Sequence, residues 1–125
     1  MMLDSGVLIS IEQNDRMGVA LVERAKQNRI ALHTTATVVG QVWRSPRQAL
    51  LAKFLNGVQV HPLTDAVARK VGLLLAASRT ADVVDSHVVV AAQALGLDVL
   101  TGDTNDLGTL AASITGPAPT IRAWP

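Results

Sequence analysis

The 125-residue chain contains no cysteine and no tyrosine. That excludes a disulfide framework and any thiolate metal site, and it is compatible with a reducing cytoplasm. Phe54, Trp43 and Trp124 are the only aromatic residues. The core must therefore rest on Ala, Val, Leu and Ile, and the aromatic stacking platforms of single-strand nucleic-acid binders are not expected. No apolar run approaches the ~20 residues that cross a bilayer. The amino terminus meets an acid at Asp4 before any basic stretch followed by an apolar one, so the sequence reads as soluble, unexported and cytoplasmic. The formal net charge of +1 supplies no global field for a polyanion. Any nucleic-acid contact must be local. Arg44 and Arg47 flank Ser45 and Pro46, with Lys53 beyond, although such charges alone also fit a solvated helix face.

What is present suits an ordinary core: 49% of the residues are hydrophobic and 17% charged. A chain this long folds as one domain over residues 1–125 and buries about two thirds of its unfolded surface. Short apolar runs alternate with amphipathic stretches, which is the rhythm of βα units. Met1 to Leu3 and Ile30 to His33 read as strands. Helices are expected at about Arg16 to Gln27, around Val38 to Arg44, and after Pro46, where proline suits a first helical position. Asn56-Gly57 turns the chain into the weak strand Val58 to His61. Thr64 then caps a helix whose Val67, Val71, Leu74 and Leu75 form one apolar face, destined for the sheet or a dimer contact. Val84, Val88, Ala91, Ala92 and Leu95 repeat that pattern until Gly96 ends it, and Asp98 to Thr101 reads as a buried strand. Gly116 to Pro119 makes a stiff connection to an edge strand, Thr120 to Trp124. The expected architecture is a three-layer α/β/α sandwich on a mostly parallel sheet. Such sheets bind ligands beyond the carboxyl ends of their strands.

Asp4 closes the first apolar run and Asp103 the late one, so both fall at that edge. Asp85 lies in the first turn of the helix that opens towards it, with Asp82 just before. Gathering like charges costs free energy unless a cation sits between them. Oxygen donors without thiolates favour Mg²⁺ or Mn²⁺, which activate water and stabilise phosphate oxygens during hydrolysis. Each acid also has a structural reading. Asp82 and Asp85 are spaced as an N-cap and its third residue, Asp103 can cap a helix from Thr104, and Asp4 can start a turn. Their coincidence at one edge favours chemistry. His33, His61 and His87 form no spaced ligand pair and read as partly buried imidazoles. No glycine-rich phosphate loop or Gly-x-Ser-x-Gly element is present.

Four segments in order, Leu3-Asp4-Ser5-Gly6-Val7-Leu8-Ile9, Thr35 to Arg44, Ala81-Asp82-Val83-Val84-Asp85-Ser86-His87, and Val99-Leu100-Thr101-Gly102-Asp103 with Asp106-Leu107, resemble PIN-domain ribonucleases of the VapC toxin type. The resemblance spans nearly the whole chain. It implies a Mg²⁺- or Mn²⁺-dependent endoribonuclease, the toxin of a type II toxin-antitoxin pair. Its partners would be an RNA substrate, a small cognate antitoxin and a second copy in a homodimer. By resemblance Asp4, Asp85 and Asp103 take the ligand and water-activating roles, and Asp106 is a fourth metal-binding member. Ser5 and Thr101 orient the carboxylates, and the local charges of Arg44 and Arg47 are the candidates for RNA contact. The departure is Gln41, which stands where the pattern has a glutamate. Its amide keeps a ligating oxygen but loses the charge and the capacity to take a proton. The alternative is therefore an attenuated or inactive PIN-like protein that serves as a binding partner. A phosphotransfer domain with Asp4 as nucleophile fits poorly, because Gly6 stands where one such family needs a second acid and no lysine follows Lys70 for the other.

Overall fold

In a computed structural model that describes residues 1–125, five short strands form one sheet. They are β1 (Met2–Leu3), β2 (His33–Thr35), β3 (Gln59–His61), β4 (Val99–Thr101) and β5 (Ile121–Ala123), in the order β3-β2-β1-β4-β5 with every pairing parallel. The connections carry seven helices: α1 (Ser5–Glu12), α2 (Arg16–Gln27), α3 (Ala36–Val42), α4 (Ala49–Leu55), α5 (Asp65–Ser78), α6 (Val83–Leu95) and α7 (Thr104–Ser113). The chain first adds β2 and β3 on one side of β1, then β4 and β5 on the other. Crossovers of constant right hand therefore place α1 to α4 on one face and α5 to α7 on the opposite face. Accordingly α1 packs on α2, α3 and α4, and α5, α6 and α7 pack on one another, while α3, which starts directly after β2, also meets α6. This is the three-layer sandwich that the sequence predicts.

Local chemistry sets the helix ends. Asp15, Thr64, Asp82 and Asp103 each accept an amide of the first turn through the side chain, relieving donors that no helix can satisfy internally. Gly96 closes α6 at φ +65°, a conformation that costs glycine nothing. Helix α6 is the most deeply set, with every residue from Ser86 to Ala92 buried against the sheet and its neighbours. The core is one contiguous cluster that joins Met2, Leu3, Val7, Leu8, Val88, Val89 and Val99.

Three features differ from the sequence reading. Helix α1 fills Ser5–Glu12, a stretch to which the sequence reading assigns no element beyond a turn at Asp4. Strand β2 occupies His33–Thr35 and not Ile30 to His33, because Met2 pairs with His33 and the threonines that follow are fully buried. Burial is tolerable because their hydroxyls are bonded: Thr34 Oγ1 donates to the Leu3 carbonyl at 2.8 Å, and Thr35 Oγ1 accepts the Val38 amide at 3.2 Å. Helix α5 rests on α6 and α7 instead of on the sheet. The closing edge strand forms as expected. Arg122 on it donates to Asp98 at 2.6 Å, and the Trp124 indole donates to Ser10 Oγ of α1 at 3.1 Å. No helix is long and apolar enough to cross a membrane.

Candidate functional site

Strand order reverses between β1 and β4, the point where doubly wound sheets open a crevice at their carboxyl ends. Asp4 follows β1 directly and is 5% exposed. It stands at the N-cap position of α1 but makes no capping hydrogen bond. Its Oδ2 instead accepts a 2.6 Å bond from Thr101 Oγ1 at the end of β4. Its Oδ1 is buried with no partner. A buried carboxylate oxygen left unpaired is costly, so it marks a position that a ligand can complete.

Above this floor, carboxylate oxygens of Asp85, Asp103 and Asp106 lie within 4.8 Å of one another. Each comes from a helix amino end. Asp85 sits in the first turn of α6, and Asp103 caps α7 while Asp106 lies in its first turn. Burial pushes the Asp85 carboxyl up to about 7, reinforced by the negative charges of Asp82, Asp4, Asp103 and Asp106. Asp106 is also raised, by its hydrogen bond to Asp103 and then by that residue's charge. Asp103 thus plays two parts, since its Oδ1 accepts the Asp106 amide at 3.1 Å and its carboxylate belongs to the cluster. Asp82 caps the Asp85 amide at 3.0 Å and lies outside the close trio.

Of the remaining candidates, only Thr101 is bonded to these acids. Thr101 is fully buried, donates to Asp4 and accepts the Asp103 amide at 2.9 Å. Ser5 is half-buried at the start of α1, without a bond to any of the acids. Gln41 lies exposed in the last turn of α3, and no hydrogen bond links it to the acids. Arg44 and Arg47 are exposed on the connection from α3 to α4. The Arg44 guanidinium donates to the Gly40 and Trp43 carbonyls at 3.0 and 2.9 Å, closing the carboxyl end of α3 where a cation is favoured. Gln48 braces the same turn, accepting the Ser45 amide at 3.0 Å and donating to the Val42 carbonyl at 3.1 Å.

The histidines, scattered in sequence, are not scattered in space. His33 Nδ1 and His61 Nε2 are 2.9 Å apart, with ring planes 10° apart and centroids at 5.2 Å. That combination sets the rings edge to edge, sharing one hydrogen bond. The signal lay in the β2–β3 register, which pairs His33 with Gln59 and Thr35 with His61 and so turns both imidazoles to one face. His87 is fully buried and bonds Thr37 Oγ1 through Nδ1 at 2.8 Å.

The donor set is all carboxylate oxygen, hard and anionic, with an orphaned buried oxygen beside it. It fits Mg²⁺ or Mn²⁺. No protein-family model matches the sequence, and no curated protein does. Solved structures are similar to it over nearly their full length. VapBC2 from Rickettsia felis, bound to a DNA fragment from its promoter, superposes with a TM-score of 0.69 at 13% identity, covering 99% of this chain and 98% of that chain. FitAcB from Neisseria gonorrhoeae gives 0.65 at 15% identity, covering 96% and 94%. A toxin-antitoxin complex from Klebsiella pneumoniae gives 0.65 at 13% identity, covering 91% and 95%. At such identities the likeness is one of fold, and the fold is the PIN-like sandwich that recurs in these toxin-antitoxin complexes.

Proposed function

We propose that the chain is a divalent-metal-dependent endoribonuclease, the toxin of a toxin-antitoxin pair acting in the cytoplasm. The observation that carries this reading is the meeting of Asp85, Asp103 and Asp106 within 4.8 Å at the strand-order switch point, beside the unpaired oxygen of Asp4. Those four carboxylates would hold Mg²⁺ or Mn²⁺. When bound, the ion supplies an activated water and offsets charge on the phosphate oxygens of the RNA. The protein's part is positional and electrostatic. Thr101 fixes Asp4, and the Asp103 cap fixes the first turn of α7. Asp85 retains a proton below about pH 7 until a cation replaces it. Arg44 and Arg47, exposed on one connection, would meet the RNA backbone.

An antitoxin partner has a surface to bind. A cavity of about 570 Å³ opens between α2 and α4, lined by Val19, Val22 and Phe54 and bordered by Lys26, Arg29 and Lys53 against a single acid, Glu23. An amphipathic helix with acids beside its apolar stripe fits that chemistry. A second reading, a PIN-like binding partner without activity, draws on Gln41, which brings no charge.

The test is incubation of the purified protein with a panel of structured and unstructured RNAs in Mg²⁺, Mn²⁺ and chelator, alongside Asp103→Asn. Cleavage that requires the ion and disappears in the variant is expected. Cleavage in chelator would overturn the metal reading. Absence of cleavage on every RNA, with a stable complex formed on co-expression with the neighbouring reading frame, would favour the inactive partner.

A further inference from the structure

We propose that Ser86 and His87 are positioning residues that hold Asp85 at the acid cluster. The inference rests on the metal-site reading above and assigns work to two buried polar side chains that reading does not use.

The three residues are consecutive across the first two turns of α6, where successive side chains diverge by about 100°. Asp85 turns towards Asp103 and Asp106, while Ser86 and His87 are fully buried. Ser86 Oγ donates to the Val71 carbonyl of α5 at 3.0 Å. His87 Nδ1 meets Thr37 Oγ1 of α3 at 2.8 Å, and that oxygen is 3.1 Å from Thr35 Oγ1, which accepts the Val38 amide. One proton arrangement accounts for the Thr35–Thr37–His87 contacts. It runs only as far as the ring: Thr35 donates to Thr37 and Thr37 donates to His87 Nδ1, which puts the ring proton on Nε2, buried near the Pro62 carbonyl without a hydrogen bond. The amino-terminal end of α6 is thereby pinned on two sides, to α5 by one side chain and to α3 by the next.

That pinning answers a mechanical need. Asp85 is repelled by Asp82, Asp4, Asp103 and Asp106 together, and an apolar contact resists sliding of a helix along its axis poorly. A directional hydrogen bond in a buried setting has one best geometry, so it fixes the axial position and rotation of the turn. Val88 to Ala92, which follow, supply burial and no such registration.

The test is calorimetric Mn²⁺ titration of the full chain and of His87→Asn, His87→Gln, Ser86→Ala and Asp103→Asn, with thermal melts of each metal-free protein. An asparagine oxygen can stand where Nδ1 stands and keep the Thr37 bond, whereas a glutamine amide reaches the Nε2 position and leaves Thr37 unpaired. Mn²⁺ affinity is expected to fall about 10- to 100-fold in His87→Gln and in Ser86→Ala, and to stay within about threefold in His87→Asn. If His87→Gln folds too poorly to titrate, Thr37→Val breaks the same bond from the other side and is read in the same way. Wild-type affinity in His87→Gln (or in Thr37→Val in its place) and in Ser86→Ala, with binding lost in Asp103→Asn, would overturn the positioning role and leave the metal reading intact. Undiminished affinity in Asp103→Asn would overturn the metal reading itself. Equal loss in His87→Asn and His87→Gln would reduce His87 to a packing residue and overturn its assigned role.

Discussion

The Thr101 hydroxyl donates a 2.6 Å hydrogen bond to Asp4 Oδ2, tying residues 97 apart in sequence across the seam where strand order reverses. The same oxygen accepts the Asp103 amide at 2.9 Å, so a single hydroxyl sets the relative position of two acids. Thr101→Val preserves shape and removes both bonds. Both Asp4 oxygens would then lack a protein donor inside a buried site. A lost bond to a buried charged group costs about 1.5–3 kcal/mol, and that loss of stability is expected in urea melts. Thr101→Ser should recover most of it. Equal stability of the Val variant and the wild type would mean that the bond contributes nothing to folding.

Stability of the metal-free protein should vary with pH in two opposed ways. The Asp85 carboxyl is raised to about 7, so the folded state holds that proton more tightly than the unfolded state does. Its contribution is fully present below the ordinary value near 3.8 and is lost as pH rises through about 7. His33 runs the other way. Burial lowers its proton affinity, followed by the nearby α-ammonium and then His61, so its contribution is present above about 6.5 and is lost as pH falls through the depressed value. Asp85→Asn should therefore raise the melting temperature at pH 8 by the equivalent of about 1–2 kcal/mol after solvent screening, with no gain at pH 4. His33→Asn should flatten the acid limb alone. Melts from pH 4 to pH 9 without metal check both, and an Asp85→Asn curve parallel to that of wild type would refute the charge-cluster account.

Much of this frame was legible because capping chemistry is local. Thr64, Asp82 and Asp103 each announce a helix by a hydroxyl or carboxylate ahead of a periodic run, and Gly96 announces an end. Helix α1 escaped because Gly6, Val7, Leu8, Ile9 and Ile11 leave it without a polar face, and because Asp4 makes no cap bond. An apolar stretch of that length fits a buried strand as well as a buried helix. The site was legible in part. Asp85 and Asp103 follow from strand ends and helix starts, but the closeness of Asp106 depends on the first turn of α7, and the His33–His61 pair on a strand register that no local pattern encodes.

The contact between α1 and α2 rests on a missing side chain. A Cβ at Gly18 would lie 2.8 Å from the Ser10 carbonyl carbon and oxygen and 2.9 Å from the Ile11 nitrogen, all backbone atoms that cannot turn aside. Gly18→Ala should destabilise by about 1–3 kcal/mol, in spite of alanine's better helix propensity. Gly72→Ala in α5 meets nothing within 4 Å and should stabilise by about 0.5–1 kcal/mol. Denaturant melts of the two variants are expected to move in opposite directions. A stabilised Gly18→Ala would show that the helices do not approach so closely.

The substitution that bears most on the proposed metal site is Gln41→Glu. Gln41 is exposed in the last turn of α3 and bonds none of the acids, so a carboxylate placed there keeps its freedom to turn. Without metal it should destabilise the protein by about 0.3–1 kcal/mol, because an anion at a helix carboxyl end opposes the dipole and adds to the acidic cluster. With Mn²⁺ bound the added charge is attracted instead. Exposure screens that attraction, and a net gain of about 1 kcal/mol, roughly fivefold in Kd, is expected. The sign of the stability change therefore reverses with the ion, which an ordinary surface substitution would not do. Calorimetric Mn²⁺ titration of both proteins gives the affinity, and melts with and without Mn²⁺ give the reversal. Equal affinity in the two, with the same melting shift in either condition, would show that residue 41 lies beyond reach of the ion and that its missing charge has no bearing on the metal site.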